Sequence, residues 1–178
     1  WLPSASAAET PWPSPCAGSE SDPGTDPRNT YGNNLRDMSE IRRVTVIGGG
    51  TMGNGIAHVC AQAGLEVTLV DMDQAALDRA LTTIGKNLDR QVKKEILTAE
   101  EKLATLGRIT GITSVEQGVA EAQLVVEAVP EKAELKYSLF ETLDAAAPSD
   151  CILASNTSSI SITEIAARTN RPEQVIGM

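Results

Sequence analysis

The sequence has 178 residues, of which 41% are hydrophobic and 22% are charged, a composition that supports one globular domain with a full core. Its net charge of −9, without a basic patch, argues against a nucleic-acid partner, and no apolar run is long enough to span a membrane. The three cysteines are widely spaced and odd in number, so they predict reduced thiols in the cytoplasm and neither disulfides nor a metal site.

The amino-terminal segment, residues 1–37, differs in composition from the rest of the chain. Six of the nine prolines and both tryptophans lie there, and no helical or strand periodicity is visible. Such a segment buries too little apolar surface to offset the entropy that it would lose on ordering. Residues 1–40 are therefore expected to be a disordered leader or upstream sequence, with a disordered functional tail as the alternative. Residues 41–178 are expected to form the folded domain.

From residue 41 onwards, strand and helix patterns alternate along the chain. Strands are predicted at 44–48, 66–71, 111–114, 122–129, 151–156 and 174–178. Helices are predicted at 51–63, 74–97, 98–109, 114–122, 131–146 and 161–169. Apolar stripes mark the two longest helices, with Leu77, Leu81, Ile84 and Leu88 in one and Leu135, Leu139 and Leu143 in the other. Thr98 and Glu101 predict a capping box. The alternation indicates an α/β fold, namely a Rossmann-type, doubly wound and mostly parallel sheet.

A glycine-rich turn, GGGTMG, connects the first predicted strand to the first helix. Gly48 permits the tight turn, Gly50 lets the backbone approach a pyrophosphate, and Gly53 allows the helix to pack closely on the strand. The second strand ends at Asp71, about twenty residues further on, where a carboxylate accepts hydrogen bonds from the adenosine ribose and repels a 2′-phosphate. The turn and the acid together predict NAD, in preference to NADP, as the cofactor.

Polar side chains follow two later strands, at the edge where an open α/β sheet binds its ligands. Glu127, Glu131 and Lys136 come at and after the end of one of these strands. The next strand ends in five small hydrogen-bonding residues, 155–159. A helix N-cap explains one residue in such a cluster and leaves the others as candidates for ligand contacts.

Four segments together resemble the N-terminal domain of the 3-hydroxyacyl-CoA dehydrogenases, and most of all the bacterial 3-hydroxybutyryl-CoA enzymes. They are VTVIGGGTMGNGIAHVCAQAG, LVDMD, LVVEAVPEKAELK and ILASNTSSISITEIA, and the likeness runs from Ile41 to Met178. The resemblance implies an oxidoreductase that converts a 3-hydroxyacyl-CoA to a 3-ketoacyl-CoA in fatty-acid or butanoate metabolism, with hydride passing to NAD. It also implies a helical C-terminal domain, absent from this sequence, that makes a homodimer contact and closes over the acyl-CoA.

The resemblance implies cofactor contacts for individual residues. The turn that binds the pyrophosphate comprises Gly48, Gly49, Gly50, Thr51, Met52 and Gly53. Asp71 would bind the adenosine ribose, and Glu131 and Lys136 would lie along the cofactor. Asn156 would position the nicotinamide.

The substrate contacts and the general base are implied in the same way. Ser158 would hydrogen-bond the substrate oxygen that becomes the ketone, and it would also contact the cofactor. Lys94 would contact CoA, whereas Asn87 stands where a related member has serine. The family's general base is a histidine in a His-Phe-x-Asn-Pro motif, expected directly after Met178, and a later glutamate orients it. The sequence contains one histidine, His58, which lies inside the first helix and is expected to be a packing residue.

The missing base and second domain lead to an expectation about activity. The chain is expected to be an incomplete gene product that binds NAD weakly and turns over nothing by itself. Loss of a general base alone lowers a rate by about 10²–10⁴-fold. The helices that would pack on the missing half are expected to leave an exposed apolar patch.

Three other hypotheses remain open. The 3-hydroxyisobutyrate and 6-phosphogluconate dehydrogenases share a GxGxMG turn, but they commonly carry Asn-Arg in place of Asp71-Met72 and lack SNTSS. A stand-alone, non-enzymatic NAD-binding module with a sensing or structural role is the second hypothesis. The third is the dehydrogenase part of a larger fatty-acid oxidation protein, although residues 1–37 do not resemble the hydratase domain that would precede it.

Overall fold

The computed structural model describes residues 41–178, in which six strands form one sheet. The predictions for residues 1–40 lie outside the described residues. The strands are β1 (Arg43–Ile47), β2 (Glu66–Val70), β3 (Ile109–Ile112), β4 (Leu124–Glu127), β5 (Ile152–Ser155) and β6 (Val175–Gly177). All neighbouring strands are parallel, in the order β3-β2-β1-β4-β5-β6, which confirms the predicted Rossmann-type sheet.

Two hydrophobic cores, one on each face of the sheet, hold the helices in place. The helices are α1 (Thr51–Gln62), α2 (Gln74–Lys93), α3 (Ala99–Gly107), α4 (Val115–Val119), α5 (Ala133–Ala146) and α6 (Ile162–Ala166). Successive strand residues point to opposite faces, so Val126 packs in the core with α1 and α2, whereas Val125 packs in the core with α5 and α6. Both side chains are fully buried, so the strand is covered on both faces, as is usual for a near-continuous apolar run in a parallel sheet.

The carboxyl ends of four strands lie level with one another. Ile47 is in register with Val70 of β2 and with Glu127 of β4, and Glu127 is in register with Ser155 of β5. The segments that follow these strands therefore emerge along one edge of the sheet. The strand order reverses between β1 and β4, and open α/β sheets bind their ligands at such a switch point.

The long helix α2 ends four residues earlier than predicted. It stops at Lys93, although the apolar pattern continues to Leu97. Glu95 adopts a positive φ of 57°, and Thr98 is extended because its side chain caps α3. Thr98 and Glu101 form the predicted capping box, which requires the chain to leave the helical conformation beforehand.

Helix α5 begins two residues later than predicted and buries a different set of side chains. Lys132 is its N-cap, and Leu143 is fully buried as expected. Leu135, which the apolar stripe predicted to be in the core, is 43% exposed. Lys136 is fully buried in its place, because two carboxylates compensate its charge.

The shorter strands and α-helices differ from the prediction only at their ends, whereas the 3₁₀ helix Pro172–Gln174 was not predicted. β3 begins at Ile109 and not at residue 111, and both α4 and α6 stop three residues early, at Val119 and Ala166. Ser161 caps α6 by accepting a hydrogen bond from the N–H of Glu164. Within the described part of the chain, every helix is too short or too polar to cross a membrane.

Candidate functional site

A cleft of about 520 Å³ opens at the carboxyl edge of the sheet, between the β1–α1 turn and the loop after β4. The turn contributes Gly48, Gly50, Thr51 and Met52 to its walls, and Asp71 comes from the segment directly after β2. The loop after β4 contributes residues 128–130. The cleft therefore lies at the switch point, where the sheet topology predicts a ligand.

Two of the three glycines of the fingerprint are required by close contacts within the protein, and the third faces open space. Gly48 has a φ of +104°, and a Cβ there would lie 2.7 Å from the carbonyl oxygen of Ala128. A Cβ at Gly53 would overlap the carbonyl oxygen of Gly48, so α1 can approach β1 this closely only with glycine at this position. A Cβ at Gly50 would meet nothing within 4 Å. The turn is thus tight against the protein and open towards the space in which a pyrophosphate is predicted.

The amino end of α1 has no side-chain cap. Its N-cap is Gly50, no side chain accepts a hydrogen bond from its first N–H groups, and its first turn contains no acid. By contrast, side chains cap four other helices, namely Asp73 for α2, Thr98 for α3, Ser114 for α4 and Ser161 for α6. Uncapped N–H groups and the positive end of the helix dipole attract anions, so this helix end can hold a pyrophosphate.

Asp71 is tied to the glycine turn at the end of β2. Its Oδ2 accepts a hydrogen bond from the N–H of Gly49 at 2.8 Å, and its Oδ1 accepts one from the N–H of Asp73 at 3.1 Å. These bonds orient the carboxylate at the rim of the cleft, where Met72 is 88% exposed. A carboxylate held in this place can accept hydrogen bonds from ribose hydroxyls.

A fully buried ion pair lies at the ends of β4 and β5. Lys136 Nζ donates to both carboxylate oxygens of Glu127, at 2.6 and 2.8 Å, and both side chains are 0% exposed. Ser155 Oγ and the N–H of Val129 also donate to Glu127, at 2.5 and 2.8 Å. A buried charge needs a partner of opposite charge and hydrogen bonds, and Glu127 has both.

Glu131 connects the loop after β4 with the loop after β5. Its Oε1 accepts hydrogen bonds from Thr157 Oγ1 and, at 2.8 Å, from Ser159 Oγ, and Lys136 Nζ lies 3.1 Å from its Oε2. The pKa of Glu131 is lowered to about 2, and the largest cause is the hydrogen bond from Thr157, with that from Ser159 the next largest. The carboxylate is therefore ionised at neutral pH, and it holds the two loops together.

The five small polar residues 155–159, at and after the end of β5, divide into two alternating sets. Ser155, Thr157 and Ser159 donate their hydroxyl hydrogens to the two carboxylates just described. Asn156 and Ser158 make no side-chain hydrogen bond to any residue between 41 and 178. Their polar atoms are available for a ligand, and they are the two residues predicted to contact the nicotinamide and the substrate.

The contribution of Glu131 to stability is expected to depend on pH. Its pKa in the folded chain, about 2, lies below the ordinary value of 4.5, so the ionised carboxylate stabilises the fold above pH 4.5. This contribution is lost as the pH falls from 4.5 towards 2. Urea unfolding should therefore show wild type to be more stable than Glu131→Gln above pH 4.5, with a difference that shrinks below it. A difference that stays constant over this range would contradict the role of Glu131.

Two residues considered from the sequence do not belong to this edge. Lys94, predicted to contact CoA, is exposed at the C-cap of α2 and does not line the cleft. His58 is 7% exposed on α1, its Nε2 has no hydrogen-bond partner among residues 41–178, and burial lowers its pKa. It is neutral at pH 7, which agrees with its expected role in packing.

In the described chain, no cluster of His, Cys, Asp or Glu side chains could hold a metal ion.

Glu127 was predicted to lie at the ligand-binding edge and was given no individual role, although the sequence contained a signal for one. It lies within the predicted strand 122–129, whose near-continuous apolar run is typical of burial on both faces, and an acid in such a place requires a nearby cation. Lys136, nine residues later, meets that requirement. The pairing of Thr157 and Ser159 with Glu131 had no comparable signal, because the partners are 26 and 28 residues apart.

Comparisons with known proteins identify a family. Residues 43–178 match the model for the 3-hydroxyacyl-CoA dehydrogenase, NAD binding domain. A 3-hydroxybutyryl-CoA dehydrogenase of Bradyrhizobium diazoefficiens is 46% identical over 138 residues, which are 78% of this chain and 47% of that relative. A 3-hydroxyadipyl-CoA dehydrogenase of Escherichia coli is 44% identical over 79% of this chain and 30% of its own length.

Solved structures agree with these matches. The crystal structure of (S)-3-hydroxybutyryl-CoA dehydrogenase from Ralstonia eutropha matches with a TM-score of 0.75 and 46% identity. The match covers 78% of this chain and 48% of that chain. The chain thus spans about half the length of the curated relatives it matches.

Proposed function

Because this chain belongs to the 3-hydroxyacyl-CoA dehydrogenase family through its NAD-binding domain, we propose that it serves the NAD-dependent oxidation of a 3-hydroxyacyl-CoA to a 3-ketoacyl-CoA. Residues 41–178 would be the cofactor-binding portion of that enzyme. One observation carries the proposal, namely that the candidate ligand contacts lie along one edge of the sheet. The strands β1, β2 and β5 end level with one another, and they are followed by the open glycine turn, by the anchored Asp71, and by Asn156 and Ser158, whose side chains have no hydrogen-bond partner among residues 41–178. 3-Hydroxybutyryl-CoA is the favoured substrate, since relatives with that name are 46% and 42% identical.

The two ends of the cofactor site would have different tasks. At one end, turn residues 48–53 would bind the pyrophosphate through the N–H groups of α1, and Asp71 would bind the adenosine ribose. NAD, when bound, supplies the acceptor for the hydride. At the other end, Asn156 would orient the nicotinamide, and the hydroxyl of Ser158 would donate a hydrogen bond to the substrate oxygen as it becomes a carbonyl. Ser158 would also contact the cofactor.

The general base is proposed to come from outside these residues. His58, the one histidine of the sequence, is buried on α1 and does not line the cleft. The base implied by the family is a histidine in a segment other than residues 1–178. The cofactor-binding portion would then bind NAD but would not turn over substrate by itself.

The remaining partners are proposed from the family. Lys94, exposed at the end of α2, would contact the CoA part of the substrate. A helical domain would make the homodimer contact, and the setting would be the cytoplasm. Glu131 would lie along the cofactor, whereas Lys136, being fully buried, would act on the cofactor through Glu131.

The proposal can be tested by NADH consumption with 3-ketobutyryl-CoA. The 178-residue chain alone should bind NADH without consuming it, and a chimera that adds the C-terminal half of the Bradyrhizobium relative should consume it. In the chimera, Ser158→Ala should lower kcat by about a hundredfold, because it removes a donor to the reacting oxygen. NADH affinity should stay nearly intact, because Ser158 would make only one of many contacts to the cofactor. A chimera that binds NADH but reduces no 3-ketobutyryl-CoA would favour the non-enzymatic module.

The cofactor preference is expected to depend on Asp71. Asp71→Ala should weaken the binding of NAD by about tenfold or more, because the ribose hydroxyls would lose a charged hydrogen-bond acceptor. NADP should be affected less, since Arg79 lines the adjoining pocket beside Asp71 and can face a 2′-phosphate. Calorimetric titration of both cofactors measures the change, with Asp78→Ala on the exposed side of α2 as the control. Equal losses for NAD and NADP would refute the ribose assignment.

A further inference from the structure

Glu127 is the one fully buried acid among the described residues, and the proposed function assigns it no contact with cofactor or substrate. We infer that Glu127 is a positioning residue that acts through Lys136 and Glu131. In this role it fixes the backbone that carries Asn156 and Ser158. The inference rests on the proposed function, because it requires the nicotinamide to lie beside Asn156.

A single carboxylate connects three parts of the fold. Glu127 itself ends β4, Lys136 belongs to α5, and Ser155 ends β5. The N–H of Val129 ties the loop after β4 to the same carboxylate at 2.8 Å. Three donor groups make four hydrogen bonds to the carboxylate of Glu127, so it has one orientation and sets the distance between β4, β5 and the start of α5.

The ammonium group of Lys136 is surrounded by carboxylate oxygens. Its ammonium group has three hydrogens, and three carboxylate oxygens lie within 3.1 Å of it, two from Glu127 and one from Glu131. The side chain is 0% exposed, and in this structure its charged end contacts only Glu127 and Glu131 among acidic side chains of residues 41–178. Lys136 therefore links the two carboxylates, so the position of Glu127 determines that of Glu131.

Glu131 then fixes the loop after β5 on both sides of Ser158. Thr157 precedes Ser158 and Ser159 follows it, and both hydroxyls donate to the same oxygen of Glu131. The N–H of Asn156 donates to the carbonyl oxygen of Glu127 at 2.9 Å, which fixes the start of the loop. The side chains of Asn156 and Ser158 thus stand on backbone that is held at every neighbouring residue.

Stability alone does not account for a charged network in this place. Apolar side chains of similar volume commonly stabilise a buried site as well as an ion pair does. They lack directional bonds, however, and cannot set the orientation of a polar loop. Precise placement of groups that contact a reacting ligand depends on such supporting hydrogen bonds.

The test compares the binding of NAD with that of ADP-ribose, which lacks the nicotinamide. In the wild-type chain, calorimetric titration should show NAD to bind about tenfold more tightly, because the nicotinamide adds hydrogen bonds at Asn156. The variant Glu127→Gln/Lys136→Met removes both buried charges together, so neither charge is left unpaired. It should bind ADP-ribose as wild type does and lose most of the tenfold advantage of NAD.

A second variant and a control keep the comparison interpretable. Glu127→Asp retains the negative charge opposite Lys136 but withdraws the carboxylate by one methylene, and it should lose the advantage of NAD in the same way. Asp144→Asn weakens the ion pair with Arg171, 2.8 Å long, at the opposite end of α5. It should lower the unfolding temperature and leave the advantage of NAD unchanged.

Each other result overturns the inference in a distinct way. Equal losses for NAD and ADP-ribose in the Glu127 variants would show a structural role only. If both variants still bound NAD about tenfold more tightly than ADP-ribose, Glu127 would have no positioning role, and the proposed function would stand. Equal affinities for NAD and ADP-ribose in the wild-type chain would mean that the nicotinamide makes no contact with Asn156. That result would overturn the proposed function together with the inference.

Discussion

Replacing Gly53 with alanine is expected to weaken NAD binding by about a hundredfold or more and to destabilise the domain by about 3 kcal/mol. The added methyl group would overlap the carbonyl oxygen of Gly48. That oxygen cannot move away, because Gly48 has a φ of +104° and its N–H donates to Val70 at 2.7 Å. Either α1 shifts off the sheet or the turn opens, and both changes disturb the N–H groups that would face the pyrophosphate.

Gly55→Ala is the matched control for this substitution. Gly55 also lies in α1, but a Cβ there would meet nothing within 4 Å, so alanine should fit and should stabilise the helix by up to about 1 kcal/mol. Calorimetry with NAD and urea unfolding measure the two effects. If Gly53→Ala bound NAD as wild type does, the turn would not be the pyrophosphate site.

Lys136→Met is expected to destabilise the domain by about 3–5 kcal/mol, the usual cost of leaving one member of a buried ion pair without its partner. The carboxylate of Glu127 would remain fully buried, with Ser155 and Val129 as its remaining donors. Met has nearly the volume of Lys, so the loss would reflect the unpaired charge and not a cavity.

Urea unfolding at neutral pH measures this effect, and Lys132→Met provides the control. Lys132 is exposed at the N-cap of the same helix, so its replacement should change the free energy of unfolding by less than about 0.5 kcal/mol. The variant Glu127→Gln/Lys136→Met should recover part of the loss. Similar stabilities for Lys136→Met and Lys132→Met would mean that the buried pair contributes nothing to the fold.

Features that depend on residues a few positions apart were predictable from the sequence. Thr98 and Glu101 predicted the capping box of α3, because both partners lie within one helical turn. The GGGTMG turn predicted the NAD-binding edge, because Gly48 and Gly53 constrain the backbone to which they themselves belong. The family match over residues 43–178 confirms the NAD-binding family, whereas the individual contacts to NAD and substrate stay predictions.

Local patterns were less informative where tertiary packing changed the outcome. Leu135 and Lys136 are neighbours, and periodicity predicted that the leucine would be buried. The structure exposes Leu135 at the cleft and buries Lys136, because the carboxylates that surround this lysine come from the end of β4 and the loop after it. The apolar pattern likewise extended α2 beyond Lys93, where the start of the next helix ends it.

The sequence by itself determined the order of strands and helices, the cofactor turn and the acid that follows it, since short-range sterics and periodicity suffice for these. Only the tertiary structure decided which polar side chains of residues 155–159 donate hydrogen bonds to carboxylates of the protein and which remain available for a ligand. Ser155 and Thr157 find their carboxylates 28 and 26 residues earlier in the chain. Those contacts exist because parallel pairing brings Glu127 level with Ser155, and pairing between distant segments is not visible in any short stretch of sequence.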